Sequence, residues 1–283
     1  MARQEKLTTW ILKNDERLDL RVQELSWITN IFPGWHDLQV SISVSGEKFV
    51  GRGSDRNSNV ALGKAVCEAV ERSVCFHHGI SSLGVAGHLN AELAGENARL
   101  EWIERTSFSY QIENKIHLEP LAHAESDIFK HYNARGVSIG FFRIVSPENH
   151  FVVLCLAQGG RAHPIFGGIL GLGASLNINT AKQKALLECL RSLEFFLHTK
   201  PTSLSEEEFR KIEKPKAQDR QALFRDPVYF RRLVTSLSQP QRVVDLPEGK
   251  FHSLALDRTL EDCPLVFMRY SSETENHQPE FLA

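Results

Sequence analysis

Residues 51–72 read GRGSDRNSNVALGKAVCEAVER, and the second half of that stretch carries the pattern that organises the chain. Ala61, Ala65, Glu68 and Glu71 follow at steps of four, three and three, with Arg72 next. On a helix such steps keep all four positions on one side, close to a single line. The pattern returns 33 residues later as Ala94, Ala98, Glu101, Glu104 and Arg105, and 120 residues after the first copy as Ala181, Ala185, Glu188 and Arg191. The alanines let a neighbouring backbone approach closely, while the glutamates project from the same side. A single Glu-x-x-Glu-Arg reads as i,i+4 pairing on an exposed helix face. Three copies behind the same small-residue spacing imply more. Two carboxylates about 4 Å apart repel by about 4 kcal/mol at an effective dielectric near 20, so carboxylates brought together need a cation between them. Mg²⁺ accepts carboxylate oxygens and substrate phosphates, and guanidinium groups neutralise phosphate, so the pattern has the shape of a metal–phosphate site.

Outward from the motif, the chain alternates strand and helix signals. The spacing predicts an early helix over 15–30. LQVSISVSGEKFVGRG (38–53) reads as a hairpin, with Leu38, Val40, Ile42 and Val44 alternating with polar residues around a Ser45-Gly46 turn. Asn57, Ser58 or Asn59 caps the first motif helix, which runs to about His77, and Asn90 caps a second over about 90–108. KIHLEPLA, GVSIGFFRIV and HFVVLCLAQ are three strands rich in branched and aromatic residues. FGGILGLGASLNIN leads into the third motif helix, about 178–198. Ser205 to Glu208 forms a capping box, a helix follows Asp226-Pro227 over 227–238, and FHSLALD and PLVFMRY close the chain as strands. Gly51-Arg52-Gly53 and Gly171-Leu172-Gly173 read as turns, or as places where backbone N–H groups meet anions. The polar end, SSETENHQPEFLA, reads as a disordered tail. Mixed elements of this kind give an α/β fold with α+β layers.

Composition excludes several classes. With 283 residues, 42% hydrophobic and 24% charged, the chain can bury one substantial core. A formal net charge of -2 argues against a nucleic-acid or membrane-surface binder, and no apolar run reaches the ~20 residues a membrane span needs. The charged N-terminus is not a signal peptide, so a cytoplasmic location is expected. The five cysteines are scattered and unpaired in spacing, which makes them small hydrophobes rather than zinc or redox sites. His77 and His78 sit where a helix C-terminus attracts a cation. No Ser-His or Cys-His arrangement is apparent.

At this point the sequence resembles the YcaO-domain family. GRGSDRNSNVALGKAVCEAVER is similar to the family's glycine-lysine-glycine segment with its Glu-Arg helix, and SSLGVAGHLNAELAGENARLEWIER (81–105) to its Ser-Asn-Gly segment. GLGASLNINTAKQKALLECLRS (171–192) resembles its third glutamate helix, and PLVFMRY its closing arginine strand. The resemblance covers about residues 38–270 in the family's order. It implies a single YcaO-like domain over 1–283, with a short N-terminal helical segment, a polar C-terminal tail, and glutamate-bearing helices around a nucleotide cleft. It further implies ATP and Mg²⁺ as cofactors. ATP would phosphorylate a backbone amide oxygen of a peptide, leading to azoline, thioamide or amidine products. Carried onto this chain, Glu68, Glu71, Glu101, Glu104 and Glu188 would hold Mg²⁺ and phosphates. Arg72, Arg105 and Arg269 would contact phosphate, and Asn97 takes the polar position before Glu101. The chain departs from the family's pattern at Lys64, Leu83, Thr106, Ala174 or Ser175, and Arg191. Lys64 and Arg191 add cations beside the carboxylates, either as phosphate contacts or in the metal's place. The second alternative describes a scaffold or nucleotide-sensing pseudoenzyme. This sequence ends HQPEFLA rather than in the proline-rich tail of azoline-forming relatives, and an attached leader-recognition domain is not expected. A separate recognition or sulfur-delivery partner is therefore expected, along with a possible homodimer.

Overall fold

The alternation of residues 38–53 is realised as a hairpin, and it sets the architecture of the N-terminal half. The computed structural model describes residues 2–29, 31–123, 126–159, 166–213 and 217–272. These fall into two compact units, one running through Trp102 and taken up again from Glu248, the other spanning Ile103–Pro247.

The first unit begins with α1 (Ala2–Asn14), then β1 (Arg21–Glu24), a single turn α2 (Ser26–Thr29), and the hairpin β2 (His36–Val44) and β3 (Glu47–Asp55). The helix expected over 15–30 is therefore absent. Leu7, Trp10 and Ile11, at helical spacing, lie instead on α1 and are buried in the core. Asp19 takes a positive φ that turns the chain before β1 pairs antiparallel with β2. Next come α3 (Ser58–His78), β4 (Val85–His88) and the first turns of α4 (Ala91–Glu113). Asn57 caps α3 through its side chain, and Gly79 ends it in the left-handed conformation. Val40, Ile42 and Val44 pack with Ala65, Ala69 and Val70 of α3 in one hydrophobic cluster.

In the second unit the remainder of α4 leads to β5 (Glu119–Leu121), α5 (Asp127–Ala134), β6 (Val137–Ile144), β7 (Phe151–Gly159) and β8 (Ile169–Ser175). These strands form an antiparallel sheet in the order β5-β6-β7-β8. Behind β8 stands α6 (Ile178–Thr199), capped by Asn177. Three short helices follow, α7 (Glu206–Arg210), α8 (Ala217–Phe224) and α9 (Pro227–Ser236); Ser205 and Glu208 form the expected capping box. The chain then returns to the first unit with β9 (Gly249–Leu254) and β10 (Val266–Ser272). There β10 lies between β4 and β9. The polar tail read as disordered lies outside the described residues from 273 on. Among the described residues no helix is long and apolar enough to cross a membrane.

Both hairpin–helix modules share one close contact. Gly51 and Gly53 stand in β3, and a Cβ there would fall 2.1 Å from the Ala65 carbonyl oxygen and 2.0 Å from that of Ala61. In β8, Gly171 and Gly173 meet Ala185 and Ala181 of α6 at 2.2 and 2.3 Å. The Gly-x-Gly pairs are not turns, as the sequence implied, but the flat side of a strand on which an alanine-faced helix rests.

Candidate functional site

Gly-x-Gly packing also positions the first and third motif glutamates. β3 and β8 are the outer strands of their sheets, so alternate N–H groups along them have no strand to pair with. The Arg52 N–H donates instead to Glu68 Oε2 at 2.7 Å, and the Leu172 N–H donates to Glu188 Oε2 at 2.7 Å. The backbone N–H groups between the glycines do meet anions, and the anions are the chain's own carboxylates. In each case the other oxygen takes an arginine. Arg72 Nη2 donates to Glu68 Oε1 at 2.6 Å, and Arg105 Nη2 to Glu188 Oε1 at 3.1 Å.

In the first unit, Glu68, Glu71 and Glu101 interact electrostatically. Burial drives the Glu71 carboxyl well above its ordinary range, and the charges of Glu101 and Glu68 push it further. Arg72 and a hydrogen bond from the Gly87 backbone oppose the shift only in part. The same acidic surroundings, after burial, raise the Cys75 thiol to about 12, with Arg269 on β10 as the cation that counters them. Lys64 is held elsewhere, its Nζ 2.7 Å from Asp55 Oδ2 and 3.3 Å from the Ser54 carbonyl oxygen. Asn97 is exposed on α4. A polar anchor that the sequence reading missed lies on the far face of the hairpin. There the buried Asp37 accepts from the Arg52 guanidinium and the Ser54 hydroxyl, fixing the strand whose N–H holds Glu68.

In the second unit, Glu104, Arg105 and Glu188 are joined by Lys184, which the sequence reading also missed. Glu104 is raised to about 7, chiefly by burial and next by Glu188, while Arg105, Lys184 and a hydrogen bond from the Ala174 backbone hold it down. Its side chain keeps only 12% exposure. Arg191 lies half-buried on α6. A separate buried network ties α5 to the end of α6, with the Tyr132 hydroxyl donating to Glu194 at 2.6 Å and Arg135 at 3.3 Å from the same oxygen. It is structural in character, because its carboxylate is already satisfied. The five cysteines are free thiols, and all but the half-buried Cys67 are buried.

Among the described residues no three His, Cys, Asp or Glu side chains stand close enough together to hold a metal ion. The donor chemistry still fits Mg²⁺, which takes oxygen ligands and keeps waters alongside one or two carboxylates. Glu71 carries the electrostatic cost that a bound cation would relieve.

The sequence profile described as YcaO cyclodehydratase, ATP- and Mg²⁺-binding, matches residues 77–246, more than half of the chain. The chain belongs to the YcaO family. The match takes in Asn97, Glu101, Glu104, Arg105, Glu188 and Arg191, whereas Lys64, Glu68, Glu71 and Arg72 precede it and Arg269 follows it. No curated protein sequence matches the chain. Among solved structures, this YcaO protein is similar to one described as YcaO from Methanopyrus kandleri bound with AMPPCP and Mg²⁺. The TM-score is 0.65 at 15% identity, covering 95% of this chain and 90% of that one. A heterocyclase in complex with substrate and cofactor gives 0.60 at 10% identity, covering 95% of this chain and 51% of that one. The E. coli microcin synthetase McbBCD complex gives 0.56 at 11% identity, covering 83% and 84%. At these identities the likeness shows the fold, an α/β arrangement of helices and three small antiparallel sheets.

Proposed function

We propose that this YcaO protein uses ATP and Mg²⁺ to activate a backbone amide of a peptide or protein substrate by phosphorylating its oxygen. The arrangement that carries the reading is Glu68, held by the Arg52 N–H and the Arg72 guanidinium, interacting with Glu71, whose carboxyl is driven well above its ordinary range by burial and by Glu101 and Glu68. Such an arrangement costs stability unless a cation occupies it, and perturbed carboxyls of this kind mark functional sites. The family profile, with its ATP- and Mg²⁺-binding description, supports the same chemistry.

In this reading Glu68, Glu71, Glu101, Glu104 and Glu188 take Mg²⁺ or phosphate-bridging roles. Arg72, Arg105, Arg191 and Arg269 meet phosphate oxygens, and Asn97 offers an amide to the nucleotide. When bound, Mg²⁺ neutralises phosphate charge during the transfer. The chain's own residues orient the γ-phosphate and the substrate amide. Transfer of this kind rests on positioning and charge stabilisation more than on a protein nucleophile, and none of the residues above acts as one. The amide oxygen forms a bond to the γ-phosphorus as the bond to the β-bridging oxygen breaks, releasing ADP. A substrate side-chain thiol or hydroxyl, or an external sulfide, then adds at the amide carbon. Phosphate leaves with the former amide oxygen. A separate protein presents the substrate or delivers sulfur; the microcin synthetase relative, itself a complex, is consistent with such a division.

Calorimetric titration of ATP with and without Mg²⁺ tests the reading. Tight binding only with Mg²⁺ is expected, and Glu101→Gln is expected to remove ATP hydrolysis while leaving the fold intact. ATP binding of equal strength with and without Mg²⁺ would instead favour a nucleotide-sensing scaffold, the reading to which Arg191 in the place of a second glutamate lends weight. With a substrate peptide carrying ¹⁸O in the reacting amide, the label is expected in inorganic phosphate.

A further inference from the structure

The two hairpin–helix modules are equivalent position by position across 120 residues, and their lysines expose a difference between them. Asn57 matches Asn177, Gly51 and Gly53 match Gly171 and Gly173, and Glu68 matches Glu188, each pair in the same structural role. Lys64 matches Lys184, and both ammonium groups reach the carbonyl at the end of the outer strand, Ser54 at 3.3 Å and Ala174 at 3.2 Å. Beyond that shared bond their surroundings diverge. Lys64 also pairs with Asp55 at 2.7 Å. The position matching Asp55 is Ser175, whose hydroxyl accepts from the Asn177 N–H and carries no charge. Among the described residues no carboxylate stands within ion-pair distance of Lys184, and its side chain is exposed.

The cation is also well placed within its own unit. The Ala174 C=O accepts from Lys184 while the Ala174 backbone hydrogen-bonds the Glu104 carboxylate, so ammonium and carboxylate flank one residue of β8. Arg105, on Glu188 at 3.1 Å, supplies a second cation to the same group. Two carboxylates stand with two cations here, whereas the first unit sets three interacting carboxylates against Arg72 and Arg269. A cation with no contact ion pair of its own, held on a main-chain carbonyl and acting on Glu104 only at a distance, is suited to an anionic phosphate oxygen. An ammonium serves there as a compact point charge.

We propose that Lys184 is a phosphate-contacting residue for the nucleotide, held ready by the Ala174 carbonyl, while its counterpart Lys64 is neutralised by Asp55 and serves the strand end. This rests on the ATP-binding reading above. The test is the affinity for AMPPCP with Mg²⁺, and separately for adenosine, measured by calorimetry on the full chain. Lys184→Met is expected to weaken AMPPCP about tenfold and leave adenosine unchanged, and Lys184→Arg to stay within threefold of the parent. Lys182→Met removes a charge from the same helix at a residue bonded to the Ala122 carbonyl, and is expected to stay within twofold. Should methionine perturb the helix, Lys184→Gln makes the same comparison. AMPPCP affinity within twofold of the parent in both neutral variants, or an equal loss for adenosine, overturns the proposal and leaves the ATP reading standing. If the parent itself shows no Mg²⁺-dependent AMPPCP binding, the ATP reading fails and takes this inference with it.

Discussion

Two kinds of residue set the character of the molecule: glycines without room for a side chain, and glutamates that cannot all be charged at ordinary cost. A methyl group on Gly53 would lie 2.0 Å from the Ala61 carbonyl oxygen, a backbone atom that cannot rotate away. Gly53→Ala is therefore expected to destabilise by about 1–3 kcal/mol or more, read as a lower denaturant midpoint. An unchanged midpoint would show that α3 does not rest directly on β3. Glu104 makes a second prediction, for the metal-free protein. Its folded value of about 7 exceeds the ordinary 4.5, so between those pH values the folded state holds a proton the unfolded chain has lost. That contribution is fully present below pH 4.5 and is lost as pH rises through 7, on the order of 3 kcal/mol in all. Urea denaturation between pH 5 and 8 is expected to show stability falling with pH in the parent and a flatter profile in Glu104→Gln. Parallel profiles would mean that Glu104 is not the group responsible.

At the scale of elements, each motif helix depends on an Asx cap. Asn57 Oδ1 accepts from the Asn59 N–H at 2.9 Å, and Asn177 Oδ1 from the Asn179 N–H at 2.8 Å. Asn57→Ala and Asn177→Ala are each expected to cost about 1 kcal/mol by thermal or chemical denaturation, with glycine at either site costing less. If neither substitution lowers stability, the caps contribute nothing. These caps, the β2–β3 hairpin, the three central strands and all three motif helices were legible in the sequence, because periods of 2 and 3.6 and capping chemistry are local signals. The N-terminal helix was expected at 15–30 and lies at Ala2–Asn14, because its charged residues mask three apolar positions, Leu7, Trp10 and Ile11, that form its buried stripe. β4 was missed because four residues, VAGH, carry no alternation; its partner β10 lies nearly 180 residues away and only the fold brings them together. The shared spacing of the glutamates and their place on three helices were readable from the sequence. What each one touches was not, since the outer-strand N–H groups of Arg52 and Leu172 become free donors only once the sheets exist. Lys184 was invisible for the same reason: its lack of a contact ion pair like that of Lys64 with Asp55 depends on Ser175 being the equivalent of Asp55.

For the molecule as a whole, the carboxylate groups set stability against the proposed function. A protein that gathers interacting acids without a resident cation is less stable than its packing allows, and it recovers that stability when the ligand binds. Glu71 shows this tension, because burial and two neighbouring carboxylates act on it in the same direction. Glu71→Gln keeps the size and polarity of the side chain and removes the charge. In the absence of metal the variant is expected to melt a few degrees above the parent, corresponding to about 1–2 kcal/mol. On adding Mg²⁺ and AMPPCP the order should reverse. Ligand at a hundredfold excess over its Kd stabilises the parent by about 2.7 kcal/mol, whereas the variant, short of the carboxylate proposed to hold the metal, should gain much less. Scanning calorimetry of both proteins, with and without the two additions, reads the four melting temperatures. A variant that melts lower without metal would make Glu71 a structural acid satisfied by Gly87 and Arg72. A variant that gains as much from Mg²⁺ and AMPPCP as the parent would remove Glu71 from the metal site. The reversal itself distinguishes a working site from a scaffold, because a structural acid has no reason to weaken the resting fold and strengthen the loaded one.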